Sequence, residues 1–427
     1  MTACKKQKNP SIYRCLSITA TAIVLLVFLA GCDKQPSSKA FNSTEAIEKS
    51  LEVFPSNNYA HLPRLYATPN ALHASWVESE DSLSVLKYAV LRQGKWSVPE
   101  IISSGSDWFV NWADFPNLAV NNGVVLATFL QKSARGTYDY DIKYSLRNAT
   151  NGHWSIPKKL HNDTVAAEHG FVSLIAYQDG FFASWLDGRN TKSNKSNTHG
   201  HEQHTGAMTL RAAQIGSDGS VSKRVLLDKR VCDCCNTAVV HTSKGVAVIY
   251  RDRSDSKAET RDIYSTVYQD SLWSYPAPIH RDRWMINGCP VNGPAIASQK
   301  AVTAAAWFTA AQEDPRVMVA FSQDGGLHFD LPIRMDAGNA VGRVGVAMKD
   351  EQTALVSWVA PQDEQTLLQL GVITSDGQKR PPITISKTTA ERQSGFPQIA
   401  QVQDATYVVW TEVAQDSASI KMMRLRL

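Results

Sequence analysis

The sequence predicts an all-β fold: a β-propeller of seven four-stranded blades, closed by a strand from the N-terminal side. Three observations carry that prediction. Apolar runs are short and alternating, rich in Val, Ile, Trp, Tyr and Phe, and Gly, Asn, Asp and Pro interrupt them before any helical period is established. One aromatic-ended run recurs: LHASW ends at Trp76, VLATF at Phe129, FFASW at Trp185, VAVIY at Tyr250, TAAAW at Trp307, ALVSW at Trp358 and TYVVW at Trp410. The intervals are 53, 56, 65, 57, 51 and 52 residues, a period of the length that builds a radial repeat.

Each unit has the same order. An inner strand comes first (FPNLAV, GFVSLIAY, GFPQIAQV), followed by a small-residue turn and the aromatic-ended strand. A third strand follows (LKYAVL, IKYSLR, RVMVAFS, IKMMRLR), then a Gly, Asn or Asp turn and a fourth (PEIIS, PKKLH, APIHR, LPIRM). Four strands in a meander, repeated, make a propeller blade. The seventh unit stops at Leu427 after its third strand. KSLEVFPS, residues 49–56, reads like the fourth strands and is expected to complete that blade, which would remove the exposed edges.

Ahead of the repeats, residues 1–15 carry Lys5, Lys6, Lys8 and Arg14 and no acid, and an apolar run then ends at Cys32. A basic stretch, a short apolar core and small residues before a break read as an export signal over 1–31. Leu29-Ala30-Gly31-Cys32 resembles the bacterial lipobox, which implies cleavage before Cys32, acylation of that residue and a hold on the lipid bilayer. Asp33 resembles the signal that retains such lipoproteins in the inner membrane, facing the periplasm. Residues 32–48 are polar and read as a tether; 49–427 is the propeller. The whole chain has 44 Lys+Arg against 40 Asp+Glu, and four of the bases fall in the signal, so the exported part is formally neutral. That balance argues against a nucleic-acid partner.

The turns between third and fourth strands carry a family resemblance. SQDGGLHF, Ser322 to Phe329, resembles the Asp box of sialidase-type propellers, with GSDGS (216–220) and TSDGQ (374–378) as degenerate copies. In that family the box braces its turn on the face away from the active site, which makes Asp324 a scaffold residue. The resemblance implies a glycan or other anionic small ligand and, if the protein is an enzyme, glycoside hydrolysis of the exo-sialidase kind. It also implies three arginines on a carboxylate, a Tyr–Glu nucleophile pair and an acid/base Asp. The family's Arg-Ile-Pro is absent, and Leu62 to Leu65 reads LPRL instead. Sialidases proper have six blades, against seven anchors here.

Propeller geometry then places the candidate residues. Loops leading into inner strands and loops leaving second strands meet at one mouth, where a rigid scaffold can position functional groups. They bring Asn111, Asp114, Glu168, His169, Asn292, Arg343 and Arg392 together with Asp187, Arg189, Arg251, Asp252 and Arg253. Glu168, Asp187 and Asp252 are candidate acid/base carboxyls, since such work needs one carboxyl kept protonated. Arg64, Arg251 and Arg343 are candidates for the carboxylate clamp, with Asp114, His169, Arg189, Arg253 and Asn292 as further ligand contacts. Each arginine can equally close a salt bridge between blades.

Seven cysteines are present. Once Cys4 and Cys15 leave with the signal and Cys32 is acylated, Cys232, Cys234, Cys235 and Cys289 remain. An oxidising compartment favours disulfides among them, with three connectivities open. The alternative is a thiolate metal site of Cys232, Cys235 and Cys289 with a loop histidine. The insertion TKSNKSNTHGHEQHTG (191–206) holds His199, His201 and His204, which could bind Zn or Cu. No cofactor is otherwise expected. A non-catalytic envelope propeller that binds a protein partner, and a metal or redox protein, are the other function classes.

Overall fold

The computed structural model describes residues 47–192, 206–255, 258–414 and 417–427. Cys32, Asp33 and the loop histidines His199, His201 and His204 lie outside the described residues. Within them the chain forms seven antiparallel sheets, one for each aromatic anchor. Blade 1 runs through Ala60–Thr68, Ala71–Glu80 and Leu83–Arg92 to an outer edge at Glu100–Gly105. Blades 2 to 6 repeat it, with inner strands Asn117–Asn121, His169–Tyr177, Ala238–Thr242, Ala295–Gln299 and Gly342–Met348. Blade 7 contains Gln398–Val402, Ala405–Ala414 and Ser417–Arg426, and its fourth strand is Glu48–Glu52, pairing Ser50 with Arg424 and Glu52 with Met422. The expected ring closure is present. The closing strand ends at Glu52, and Phe54 turns inward to meet Trp76 edge-on at 5.2 Å.

The core is a set of layers between blades rather than one centre. Phe54, Leu65, Trp76, Tyr407 and Met422 fill the seam between blades 7 and 1. Tyr140, Ile142, Leu174 and Trp185 fill that between blades 2 and 3, and Ile249, Ile263, Trp307 and Met318 that between 4 and 5. The anchors recur because each blade needs one large side chain on its second strand to meet the next sheet; Trp76, Trp185, Trp307 and Trp358 are all fully buried. Ser322 Oγ donates to Asp324 Oδ1 (2.8 Å), which also accepts from the His328 amide (2.9 Å). That is the turn brace expected of Asp324, at the end of the blade away from the mouth.

Three inner strands slip register where they leave the mouth, between His61 and Arg64, Gly170 and Ser173, and Gly342 and Gly345. In each bulge a non-glycine residue takes the left-handed conformation: Leu62 (φ 55°), Phe171 (φ 52°) and Arg343 (φ 54°). Such residues cost on the order of 1–3 kcal/mol each and persist where surrounding contacts hold them. At the axis the inner strands leave a narrow channel of ≈ 150 Å³, into which Arg64 and Gln398 project.

Candidate functional site

The bulge at Gly170–Phe171 positions the first group. It turns the Phe171 amide outward to donate to Asp114 Oδ1 at 2.6 Å. Asp114 arrives on the loop before blade 2's inner strand, where Asn111 Oδ1 caps the Ala113 amide (2.8 Å). A Cβ on Gly170 would lie 1.8 Å from Asp114 Oδ2, so only glycine admits the carboxyl here. Tyr140 opens blade 2's third strand and forms a backbone bridge to Glu168. Its hydroxyl sits 2.9 Å from Asp114 Oδ2 and 2.8 Å from Glu168 Oε1.

A phenol has one hydrogen, yet two carboxyl oxygens stand within hydrogen-bond reach of it. Both contacts are satisfied only when one carboxyl is itself protonated and donates back. Electrostatics agrees. Burial pushes Asp114 up to about 7, against the pull of the Phe171 amide and Tyr140. Burial pushes Glu168 up to about 8, with Asp114, Asp233 and Cys289 adding like charge against Tyr140's opposing hydrogen bond. Asp233 and Cys289 belong to the lead-ins of blades 4 and 5, so Glu168 faces across the mouth. Glu168 and Asp114 were singled out from the sequence separately; the partner that joins them, Tyr140, was not. Its only sequence signal is its position at the start of a third strand, on the mouth side.

Immediately behind, His161 and His169 stack with ring centroids 3.7 Å apart and 7° between planes. His169 Nε2 contacts Asp163 Oδ2 (2.8 Å), and Asp141 lies 3.1 Å from His161 Nε2. Arg189 grips Asp187 with Nε and Nη2, each at 2.7 Å, and reaches Asp163 at 3.0 Å. Trp185 Nε1 also donates to Asp187 (3.0 Å). Burial pushes Asp187 up, but the Arg189 hydrogen bonds, His169 and Trp185 outweigh it and hold the carboxyl below its usual range. Asp187 is thus an ionised, fully buried ion-pair partner, not the proton donor expected of it. His169 and Arg189 are likewise engaged within this network rather than with a ligand. Asp141, Asp163 and His161 had no sequence signal.

Two clamp candidates are also corrected. The buried Arg251 guanidinium donates to Asn292 O (3.0 and 2.8 Å), Arg261 O (2.6 Å) and Phe308 O (2.7 Å), and lies 4.8 Å from the Trp284 ring centroid. Arg343 donates to Ser394 Oγ (2.5 Å) and to Gly395, Ala390 and Glu391 carbonyls. Neither offers a free fork. Both tie loops of adjacent blades by main-chain carbonyls, which sequence cannot distinguish from a carboxylate partner. Arg64 lies in the axial channel, with Nη1 on Gln398 Oε1 (2.7 Å). Asn292 bridges blades 5 and 6, accepting from the Arg343 amide (2.8 Å) and donating to Val341 O (3.1 Å). Asp252 is pushed up to about 7 by burial and by Asp228 beside it, and no contact joins it to Glu168.

The mouth also holds a crevice of ≈ 470 Å³ between blades 7, 1 and 2, lined by Tyr59, His61, Trp112 and Arg392 among others. Trp112 lies on the same loop as Asp114. Arg392 is exposed and has no ion-pair partner among the described residues.

On the lead-ins of blades 4 and 5 the four cysteines are free thiols in this structure, and Cys232, Cys234 and Cys235 cluster. Cys232 Sγ lies 4.0 Å from Cys234 Sγ and 3.6 Å from Cys235 Sγ. Arg261 Nη1 donates to Cys232 Sγ (3.2 Å), and Arg253 pairs with Asp233 (3.0 Å) and Glu259 (2.8 Å).

No protein-family model matches the chain, and no curated protein matches it by sequence. Solved structures do. An ulvan lyase of a new polysaccharide lyase family matches at TM-score 0.53 and 11% identity, over 87% of this chain and 95% of that one. The same protein bound to -[GlcA(1-4)Rha3S]- matches at 0.52 and 10%, over the same shares. A Hadza microbial sialidase matches at TM-score 0.40 and 12% identity, over 70% of this chain and 63% of that one. The likeness to the lyase is one of fold: a β-propeller shared at low identity.

Proposed function

We propose that the protein binds and cleaves an acidic glycan at the propeller mouth, with Glu168 as proton donor and Asp114 as the second carboxyl. The carrying observation is the single Tyr140 hydroxyl between two buried carboxyls, an arrangement complete only when one of them keeps a proton near neutral pH. That is the condition for general acid chemistry on a glycosidic oxygen. Tyr59 supplies an exposed aromatic ring in the adjacent crevice, and Arg392 supplies a cation with no ion-pair partner among the described residues, suited to a carboxylate or sulfate. The shared fold with a protein solved on a glucuronate-containing fragment supports the choice of an acidic glycan.

The test is a panel of sialosides, aryl glycosides and uronate polysaccharides, reading both new reducing ends and unsaturated uronate. The two readouts separate hydrolysis from elimination. Turnover that survives in Glu168→Gln and Asp114→Asn, or no turnover on any acidic glycan, would overturn the proposal. Attachment to the bilayer through acylated Cys32, on the periplasmic face of the inner membrane, belongs to the same proposal. It predicts fatty-acid label on the wild-type chain and none on Cys32→Ala.

A further inference from the structure

We infer that Cys232, Cys234, Cys235 and Cys289 form a binding site for one thiophilic metal ion, Zn²⁺ or Cu⁺, on the rim of the mouth. Four thiolates around one such ion at a bond length of about 2.3 Å stand about 3.8 Å apart along the edges of the tetrahedron. Cys232 Sγ meets its neighbours at 3.6 and 4.0 Å, and the three clustered sulfurs all lie within 4.8 Å of one another. Cys289 is exposed on the lead-in of the next blade and stands outside that 4.8 Å group; it swings in as the fourth ligand when the ion binds. The site is therefore assembled by tertiary structure, from two loops more than fifty residues apart in sequence.

The surroundings suit thiolates and not packed thiols. Cys232 and Cys235 are buried, yet a guanidinium meets Cys232: the equally buried Arg261 donates Nη1 to its sulfur at 3.2 Å. Arg261 is itself held by Glu259 (3.0 Å), and Glu259 also pairs with Arg253, so the cation beside the sulfur is fixed by a carboxylate network. Four thiolates around a divalent ion leave an excess of two negative charges, and around a monovalent ion three. Arg261 lies where that excess would develop, as an outer partner of a metal ligand does. The loop is anchored on both sides, by the Val231 amide on Met208 O (3.0 Å) and the Cys232 amide on Arg251 O (3.0 Å). This fits a site whose three clustered sulfurs are preformed. The metal site stands on its own geometry and does not depend on the glycan reading.

The test uses the full-length protein, purified anaerobically in detergent and reduced. Loading with Zn²⁺ or with Cu⁺, followed by elemental analysis, is expected to leave one tightly held ion per chain, and the competition between the two identifies the occupant. Co²⁺ loading is expected to give intense tetrahedral d–d bands with sulfur-to-cobalt charge transfer. Cys234→Ser and Cys289→Ser should abolish that spectrum. Arg261→Met should weaken binding by about 10- to 100-fold, as loss of an outer partner does. A variant with Cys4, Cys15 and Cys32 all changed to Ser should bind as the parent does, which excludes the N-terminal cysteines. Retained far-ultraviolet dichroism in the Ser variants would separate ligand loss from misfolding. No stoichiometric metal under either loading, an octahedral cobalt spectrum, or a mapped Cys289 disulfide in metal-free protein from native membranes would overturn the inference.

Discussion

Replacing Arg251 by Met distinguishes a structural strut from a ligand clamp. The guanidinium makes four hydrogen bonds to three buried carbonyls, those of Asn292, Arg261 and Phe308, and lies over Trp284. Met has a similar aliphatic stem and fills most of the same space, so little cavity is created. What is lost is the donor set. Each hydrogen bond to a charged group contributes about 1.5–3 kcal/mol net, and each carbonyl left unsatisfied costs about 1–3 kcal/mol. Relief from burying a cation offsets part of this, so the loss should be about 3–5 kcal/mol, in the range seen when one partner of a buried charged contact is removed. Urea denaturation followed by tryptophan fluorescence measures it. Arg251→Lys should recover only part, because an ammonium cannot match the planar fork that spans these carbonyls. A loss below about 1 kcal/mol, accompanied by loss of glycan binding, would refute the reasoning and restore the clamp.

Other outcomes follow from the same geometry. Glu168→Gln should lower turnover on the acidic glycan by about 10²- to 10⁴-fold. In the wild type, activity should fall as pH rises through about 8, where Glu168 loses its proton, and the pH profile of the variant should lose that limb. Both Asp114 and Glu168 have native values raised above their unfolded ones. Their favourable contribution is therefore complete below the unfolded carboxylate range and is lost as pH rises through about 7 to 8. Asp114→Asn should flatten that fall in a series of denaturation midpoints. Gly170→Ala would put a methyl 1.8 Å from Asp114 Oδ2; the carboxyl must move, and turnover should drop with a stability loss of about 1–3 kcal/mol. Asp324→Ala removes the brace of a remote turn and should cost about 1–2 kcal/mol while leaving glycan turnover unchanged, since Asp324 contacts only its own turn.

The blade count, the closing strand and the mouth were all legible in the chain. Each depends on local patterning: two-residue alternation makes a strand, one anchor per period makes a blade, and the surplus strand at one end matches the deficit at the other. The repeat also showed that Asp114, Glu168 and the two cysteine loops reach the same end of the molecule. Individual roles were harder to read. Arg251 and Arg343 have the residue type and position of a clamp, yet they end on carbonyls of Asn292, Phe308, Ala390 and Glu391. Every residue carries a carbonyl, so the sequence contains no mark of which ones an arginine will meet. Asp187 has the position of an acid, but Arg189 two residues later holds it ionised.

The sequence alone determined the architecture, because strand alternation, anchor spacing and turn residues act over a few positions and repeat. Only the tertiary structure decided the chemistry. The contact of the one Tyr140 hydroxyl with both Asp114 and Glu168 depends on three loops meeting and on how deeply they are buried. The setting of the Cys232 sulfur against Arg261 depends on a loop entering blade 4 meeting a residue from the far end of that blade's second-strand loop. Desolvation and proximity between distant segments set those properties, and neither quantity exists until the ring has closed.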